Sequence, residues 1–312
     1  SKMLDLQENG CENIIILPLY PQYAAATTAT VCDEVYRTLM KMRWQPSLQI
    51  IPHYESEPLY IRAIVNSINY KLSSINWEPD LILAVGGGAV IDYAKIANVV
   101  DIRDDLANLI INYAYPFKKK YTKLAVIPTT AGSGAEVTSN AVIYVNGIKY
   151  SFESELLIPD NFFLIPEFLI SAPNKIKASA GFDAIAQALE SLVSKKSNNQ
   201  SVEYATKSLR LSVNNYISFL HYPNLKNATE MIIASNLAGK AISISKTTAP
   251  HATSYPFTSL FNISHGHAVG LFFESFFRFN FDNLIRSETS FNLKKRFELI
   301  FNLLNVKNIS DF

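Results

Sequence analysis

Leu81-Ile82-Leu83-Ala84-Val85-Gly86-Gly87-Gly88-Ala89-Val90-Ile91-Asp92-Tyr93-Ala94-Lys95-Ile96-Ala97-Asn98-Val99 is the stretch that decides the fold. Its apolar opening reads as a buried strand, its three glycines as a turn, and the remainder as a helix. Glycine lets backbone approach a ligand closely, and the free N–H groups at a helix start favour negative charge. The stretch is neither G-x-G-x-x-G nor a P-loop, since no Gly-Lys-Ser/Thr follows. Taken alone, three glycines also suit a plain strand-to-helix turn.

The pattern extends in both directions. Residues 13–19 and 48–52 read as strands, 30–42 as a helix, and 57–74 carries apolar residues at helical spacing. Downstream, 124–127 reads as a strand, and 141–145 with 148–152 as a hairpin about Asn146-Gly147. Strands alternating with helices predict a parallel, doubly wound sheet. From about 160 the pattern is helical, punctuated by Pro159, Pro166 and Pro173. The expected organisation is therefore an α/β domain over 1–160 and a helical domain over 161–312.

Composition narrows the class. With 28 basic and 27 acidic residues in 312, no nucleic-acid partner is expected, and 48% apolar content excludes a disordered chain. Two cysteines, Cys11 and Cys32, make no disulfide framework, which points to a reducing, cytoplasmic setting. Neither a signal peptide nor a membrane span is expected. Only 11 glycines occur, with none between 11 and 85 and none after 270, which directs attention to where they cluster. The run Lys118-Lys119-Lys120 is expected to be a solvated loop. Phe272, Phe273, Phe276, Phe277, Phe279 and Phe281 are expected to pack a core.

A second loop, Pro128-Thr129-Thr130-Ala131-Gly132-Ser133-Gly134-Ala135-Glu136-Val137-Thr138, follows the 124–127 strand. Its hydroxyls and glycines suit a ribose, a phosphate or an amide, and equally a loop that caps a helix. Two such loops at the carboxyl ends of strands lie where α/β sheets bind nucleotides. Farther on, His251, His265 and His267 fall within 17 residues, and Asp183 and Gln187 lie one helical turn apart. A carboxylate, an amide oxygen and two imidazoles can hold a divalent cation. Singly, each histidine also fits a structural role.

These motifs, Gly-Gly-Gly-Ala-Val-Ile-Asp-Tyr-Ala-Lys (86–95), the 128–138 loop, Gly-Phe-Asp-Ala-Ile-Ala-Gln-Ala-Leu-Glu (181–190) and Ser-His-Gly (264–266), occur in an order that resembles the iron-containing (group III) alcohol dehydrogenases. The resemblance covers 81–312 and implies a dehydroquinate synthase-like fold. It also implies NAD or NADP on Gly86, Gly87, Gly88, Asp92, Thr129, Thr130 and Ser133. Fe²⁺ or Zn²⁺ would sit on Asp183, Gln187, His251 and His265, with Gln187 in place of the usual histidine. His267 or Tyr255 would relay the proton. Within the family the chain looks closest to the phosphonoacetaldehyde reductase branch, which implies that Lys240 and Lys246 hold a substrate phosphonate. The implied reaction interconverts a small aldehyde and its primary alcohol. It calls for no nucleic-acid or membrane partner and leaves room for a homodimer. Measured against the family, the chain looks short at its C-terminal end.

The first 80 residues resemble a different family. Ile14-Ile15-Ile16-Leu17-Pro18-Leu19-Tyr20-Pro21-Gln22-Tyr23, Thr27-Thr28, Tyr54, Tyr60-Ile61 and Glu78-Pro79-Asp80 resemble an internal segment of ferrochelatase. Where a ferrochelatase would continue into Ser-x-His-Gly-x-Pro, this chain reads Ala84-Val85-Gly86-Gly87-Gly88, so ferrochelatase activity is not expected. The chain reads as a junction of two families. The alternative to a working dehydrogenase is a non-catalytic or partly folded chimera.

Overall fold

The computed structural model describes residues 2–17, 30–51, 70, 80–101, 105–114, 117–145, 148–261, 263–286 and 288–311. The chain divides into two compact units, Ser1–Glu78 and Pro79–Phe312. In the first, helix α1 (Lys2–Glu8) leads to β1 (Asn13–Ile16), α2 (Thr30–Met42) and β2 (Ser47–Ile50). β1 and β2 pair in parallel from Asn13↔Ser47 to Ile16↔Ile50. A parallel pair needs a crossover, and α2 lies between the two strands in the chain. The helix expected over 57–74 lies outside the described residues except at 70, as does the Asn146-Gly147 turn.

The second unit begins with β3 (Leu81–Gly86), α3 (Gly88–Ala97), α4 (Leu106–Ile111) and β4 (Lys123–Pro128). β5 (Asn140–Val145) and β6 (Ile148–Glu153) form the expected antiparallel hairpin. With β7 (Asn161–Phe162) the central sheet has the order β3-β4-β7, all parallel. Ala84, Ile91, Leu124, Val126 and Ala135 form the apolar seam between sheet and helix. Lys95 is only 1% exposed and is kept there by three acceptors. Its Nζ donates to Thr138 O, Thr138 Oγ1 and Asn140 O at 3.0–3.1 Å, tying α3 to the second loop and the hairpin. Lys120 is likewise not simply solvated: Nζ donates to Asp160 Oδ1 at 2.9 Å, while Asp160 Oδ2 accepts from Leu124 N, fastening the start of β7 to β4.

Helices follow: α5 (Glu167–Ile170), α6 (Asn174–Val193), α7 (Asn199–His221), α8 (Leu225–Ser245), α9 (Ala249–Phe261), α10 (His265–Asp282) and α11 (Leu293–Leu304). Asn198 and Asn224 start α7 and α8 with reciprocal capping boxes to Ser201 and Asn227. α6 is buried along most of its length, among Ala205 and Leu209 of α7, Ala238 and Ala241 of α8, and Val269 of α10. Phe273 and Phe277 stack at 4.3 Å in this core as expected, whereas Phe279 faces outward. Parallel sheet followed by helices is the fold class anticipated. The change from sheet to helix after Phe162 falls inside the second unit. Among the described residues, no helix is long and apolar enough to cross a membrane.

Candidate active site

A cleft of about 660 Å³ opens in the second unit, and both loops and the histidine set line it. Gly87 precedes α3 in extended backbone and offers no side chain to cap it, and Gly88 and Ala89 of the first turn line the cleft. Gly88 packs closely on the second loop, where an added Cβ would displace the Ser133 hydroxyl. Gly134 of that loop takes φ +61° and sits against Gly239 of α8, which fixes the loop to the helical layer. Thr130, Gly132 and Ser133 line the cleft.

Asp183 and Gln187 share one face of α6, and His251 and His265 approach it from the first turns of α9 and α10. His251 Nε2 lies 3.0 Å and His265 Nε2 3.9 Å from Asp183 Oδ1. Ligand atoms of Asp183, His251 and His265 lie within 4.8 Å of one another. Gln187 is 3% exposed, and its Oε1 has no hydrogen-bond partner among the described residues. A buried amide oxygen without a donor costs roughly 1–3 kcal/mol. A cation held beside Asp183 would remove that cost, so the four residues fit a divalent metal.

Glu190 was not singled out from the sequence. It is 0% exposed, and its Oε2 contacts His251 Nδ1 while Oε1 accepts from Thr248 N at 2.9 Å and Thr248 Oγ1 at 2.7 Å. The signal was available: Glu190 is seven residues from Asp183, two turns on along the same face. Lys149 is the other addition. It reaches into the cleft from β6, with Nζ 3.2 Å above the centre of the Tyr255 ring. Tyr255 in turn stacks on His265, 6.0 Å between ring centres.

Other residues named from the sequence lie off the cleft or are engaged by neighbours. His267 is exposed and does not line the cleft, because it lies about 200° around α10 from His265. Lys240 also lies off the cleft, its Nζ 5.7 Å from the centre of the Phe162 ring. Lys246 does line it, but its ammonium is paired with Glu153 and donates to Ser243 O at 3.0 Å. Lys246 also takes φ 62°, ψ 167°, a strained conformation for a side-chain-bearing residue, as the chain leaves α8 toward His251. Asp92 borders the cleft; its Oδ2 accepts from Val142 N at 3.0 Å, while Oδ1 lies 3.5 Å from Lys95 Nζ with no hydrogen bond among the described residues. Gly86, Gly87 and Thr129 do not line the cleft. Thr129 N donates to Gly86 O at 2.9 Å, and its side chain borders a separate minor cavity.

Electrostatics bind the histidine set tightly. Burial opposes ionisation of Asp183 more than any single partner favours it, yet the hydrogen bonds from His251 and Gln187 and the charges of the two histidines together keep the carboxyl below its usual range. Burial likewise opposes charging His251, but the Glu190 carboxylate and hydrogen bonds to Asp183 and Glu190 push it up to about 10. Burial lowers His265. A prediction follows for metal-free protein. The folded state holds the His251 proton above its ordinary 6.5, so that stability is fully present below 6.5 and is lost as pH rises toward about 10. The limiting slope is about 1.4 kcal/mol per pH unit. Lys149, lowered to about 8 by burial, contributes the opposite slope above 8, so the fall is clearest between 6.5 and 8. Urea unfolding across that interval should show it in wild type, and His251→Gln should flatten it. Equal slopes in the two proteins would contradict the assignment.

Comparison with known proteins identifies two families along the chain. Residues 71–166 match the model of iron-containing alcohol dehydrogenase, and 177–311 that of the Fe-containing alcohol dehydrogenase family, C-terminal. Residues 1–87 match ferrochelatase. The ferrochelatase of Allorhizobium ampelinum is 58% identical over 83 residues (27% of this chain, 24% of that protein), and that of Rhizobium meliloti 55% over 84 residues (27% and 25%). The chain thus spans about a quarter of the length of the curated relatives it matches. Among solved structures, sulfoacetaldehyde reductase from Bifidobacterium kashiwanohense in complex with NAD⁺ shares the fold. Its TM-score is 0.64 at 24% identity, over 97% of this chain and 81% of that one. Alcohol dehydrogenase from Oenococcus oeni gives a TM-score of 0.69 at 22% identity, over 99% and 76%. Behind a ferrochelatase-like segment, then, the chain belongs over residues 71–311 to the iron-containing alcohol dehydrogenase family.

Proposed function

We propose that this chain is a metal-dependent NAD(P)H oxidoreductase that interconverts a small aldehyde and its primary alcohol. One observation carries the reading: a single cleft is lined at one side by the start of α3 and the hydroxyl-rich loop, and at the other by Asp183, Gln187, His251 and His265. The first side suits a pyrophosphate and the second a divalent cation such as Fe²⁺ or Zn²⁺. When bound, these groups supply a hydride and a Lewis acid for a carbonyl oxygen.

The protein's own residues do the rest. Asp183 and Glu190 bring two negative charges to a buried site, and His251 carries one compensating proton between them. A divalent cation that displaces that proton leaves the site neutral, so charge as well as ligand type matches. Gly88, Thr130 and Ser133 would receive the cofactor's phosphate and amide groups. Tyr255, on the cleft between Lys149 and His265, is placed to give a proton to the alkoxide end of the substrate. Lys149 puts a cation on the cleft wall, which favours an aldehyde bearing an anionic group, phosphonoacetaldehyde included, whereas the charge of Lys246 is already met by Glu153. The sulfoacetaldehyde reductase among the neighbours in fold supports that reading. Ferrochelatase chemistry is not proposed, because the matched segment gives way at Ala84-Val85-Gly86 to the dehydrogenase motif.

Incubation with NADH or NADPH and a series of short aldehydes should consume reduced nicotinamide in wild type, and only when Fe²⁺ or Zn²⁺ is present. His251→Ala should lose both the turnover and the metal. Turnover that survives chelation, or stoichiometric metal in His251→Ala by elemental analysis, would overturn the reading.

A further inference from the structure

We infer that Glu190 is a positioning residue that selects which nitrogen of His251 is available to the cation. This deepens the metal-site reading and rests on it. Each group that meets Glu190 is a donor or is turned into one by it. Oε1 accepts from Thr248 N at 2.9 Å, from Thr248 Oγ1 at 2.7 Å and, at 3.4 Å, from His251 N. Oε2 meets His251 Nδ1. With Nδ1 carrying a hydrogen for Oε2, the lone pair of the neutral ring falls on Nε2, the nitrogen beside Asp183. Imidazole presents one lone pair, and which nitrogen holds it depends on the hydrogen bond the other makes.

The same carboxylate fastens the turn that delivers the ring. Thr248 stands just after strained Lys246 and one residue ahead of α9, and two of its donors end on Glu190. Glu190 therefore fixes His251 through its ring and through the backbone before it. A carboxylate is needed because all four contacts require an acceptor. In Glu190→Gln one oxygen becomes NH₂. If the amide oxygen keeps the Thr248 donors, the NH₂ faces Nδ1, which must then be bare, and the ring hydrogen moves to Nε2. The lone pair is then turned away from Asp183, with hardly any change in side-chain size.

The test compares zinc affinity, by competition with a chromogenic chelator, in the full chain and in its Glu190→Gln and Thr248→Val variants. Imidazole ¹⁵N spectra of the zinc-loaded wild type accompany it. Glu190→Gln should bind zinc roughly 10–100-fold more weakly, and Thr248→Val severalfold more weakly. Metal-free Thr248→Val should melt close to metal-free wild type, while metal-free Glu190→Gln should melt lower, because it loses the carboxylate that holds the His251 proton. In zinc-loaded wild type the His251 hydrogen should reside on Nδ1. Unchanged zinc affinity in Glu190→Gln, or a hydrogen on Nε2 in the loaded wild type, overturns the inference. If Glu190→Gln does not fold, unchanged affinity in Thr248→Val overturns it instead. A wild type that binds no zinc would sink the cation site and this inference together. That result differs plainly from a zinc-binding wild type beside an indifferent Glu190→Gln.

Discussion

Asp183→Asn should abolish stoichiometric metal binding, lower metal affinity by at least about a hundredfold, and remove aldehyde reduction in proportion. The substitution changes almost nothing in size, so its effect isolates charge. Asp183 is the sole carboxylate in the three-residue ligand cluster, is only 5% exposed, and lies against both histidines. Without it, a divalent cation would face Glu190 as the one nearby negative charge, and a buried excess of positive charge would remain. Leaving a buried charge uncompensated costs about 3–5 kcal/mol, and each 1.36 kcal/mol is a decade in affinity. Metal-free Asp183→Asn should still fold, because His251 keeps Glu190 as a partner. Calorimetric titration with zinc, elemental analysis and melting with and without metal would check this. A variant that still gains wild-type thermal stability on zinc addition would refute the charge argument.

Gly266→Ala should be the most disruptive single-methyl change in the second unit, costing several kcal/mol of stability and disabling the cation site. Gly266 lies in the first turn of α10, next to His265, and its N–H donates to Ser179 Oγ of α6 at 3.1 Å. An added Cβ would fall on Ser179 O and lie 3.2 Å from Asp183 N. Both obstacles are backbone atoms of a buried helix, so no side-chain rotation relieves the overlap. Overpacking a core costs about 1–3 kcal/mol even where side chains can adjust. Here relief requires α10 to retreat from α6, which carries His265 away from Asp183. Denaturant unfolding and zinc titration should both register the change. An unaltered midpoint together with unaltered zinc affinity would mean that the helices tolerate the separation.

How much of this was legible in advance follows from the range of each signal. The Leu81–Gly86 strand, the glycine turn and α3 were readable because apolar runs and glycines act over a few residues. The pairing of Asp183 with Gln187 was readable from one helical turn. Two turns would have reached Glu190 equally well, but its role depends on a loop 58 residues away, which spacing does not reveal. His265 and His267 could not both face one cleft once they shared a helix, yet which of them faced it depended on where α10 packs. Lys240 and Lys246 looked equivalent as a basic pair. The end of α8 separates them, and Glu153 on β6 takes up the charge of Lys246. Lys149 escaped notice because nothing beside it in the chain marks it. Only the hairpin places it over Tyr255.

The two family matches overlap in residues 71–87, a span that holds β3, while every described residue lining the cleft falls between Gly88 and Gly266. The cleft is thus drawn from a single passage of the chain, and the ferrochelatase match has ended before that passage begins. Leu81-Ile82-Leu83 is apolar strand common to both matches, so the residues that carry two family likenesses at once are ones that build the sheet and not ones that line the cleft.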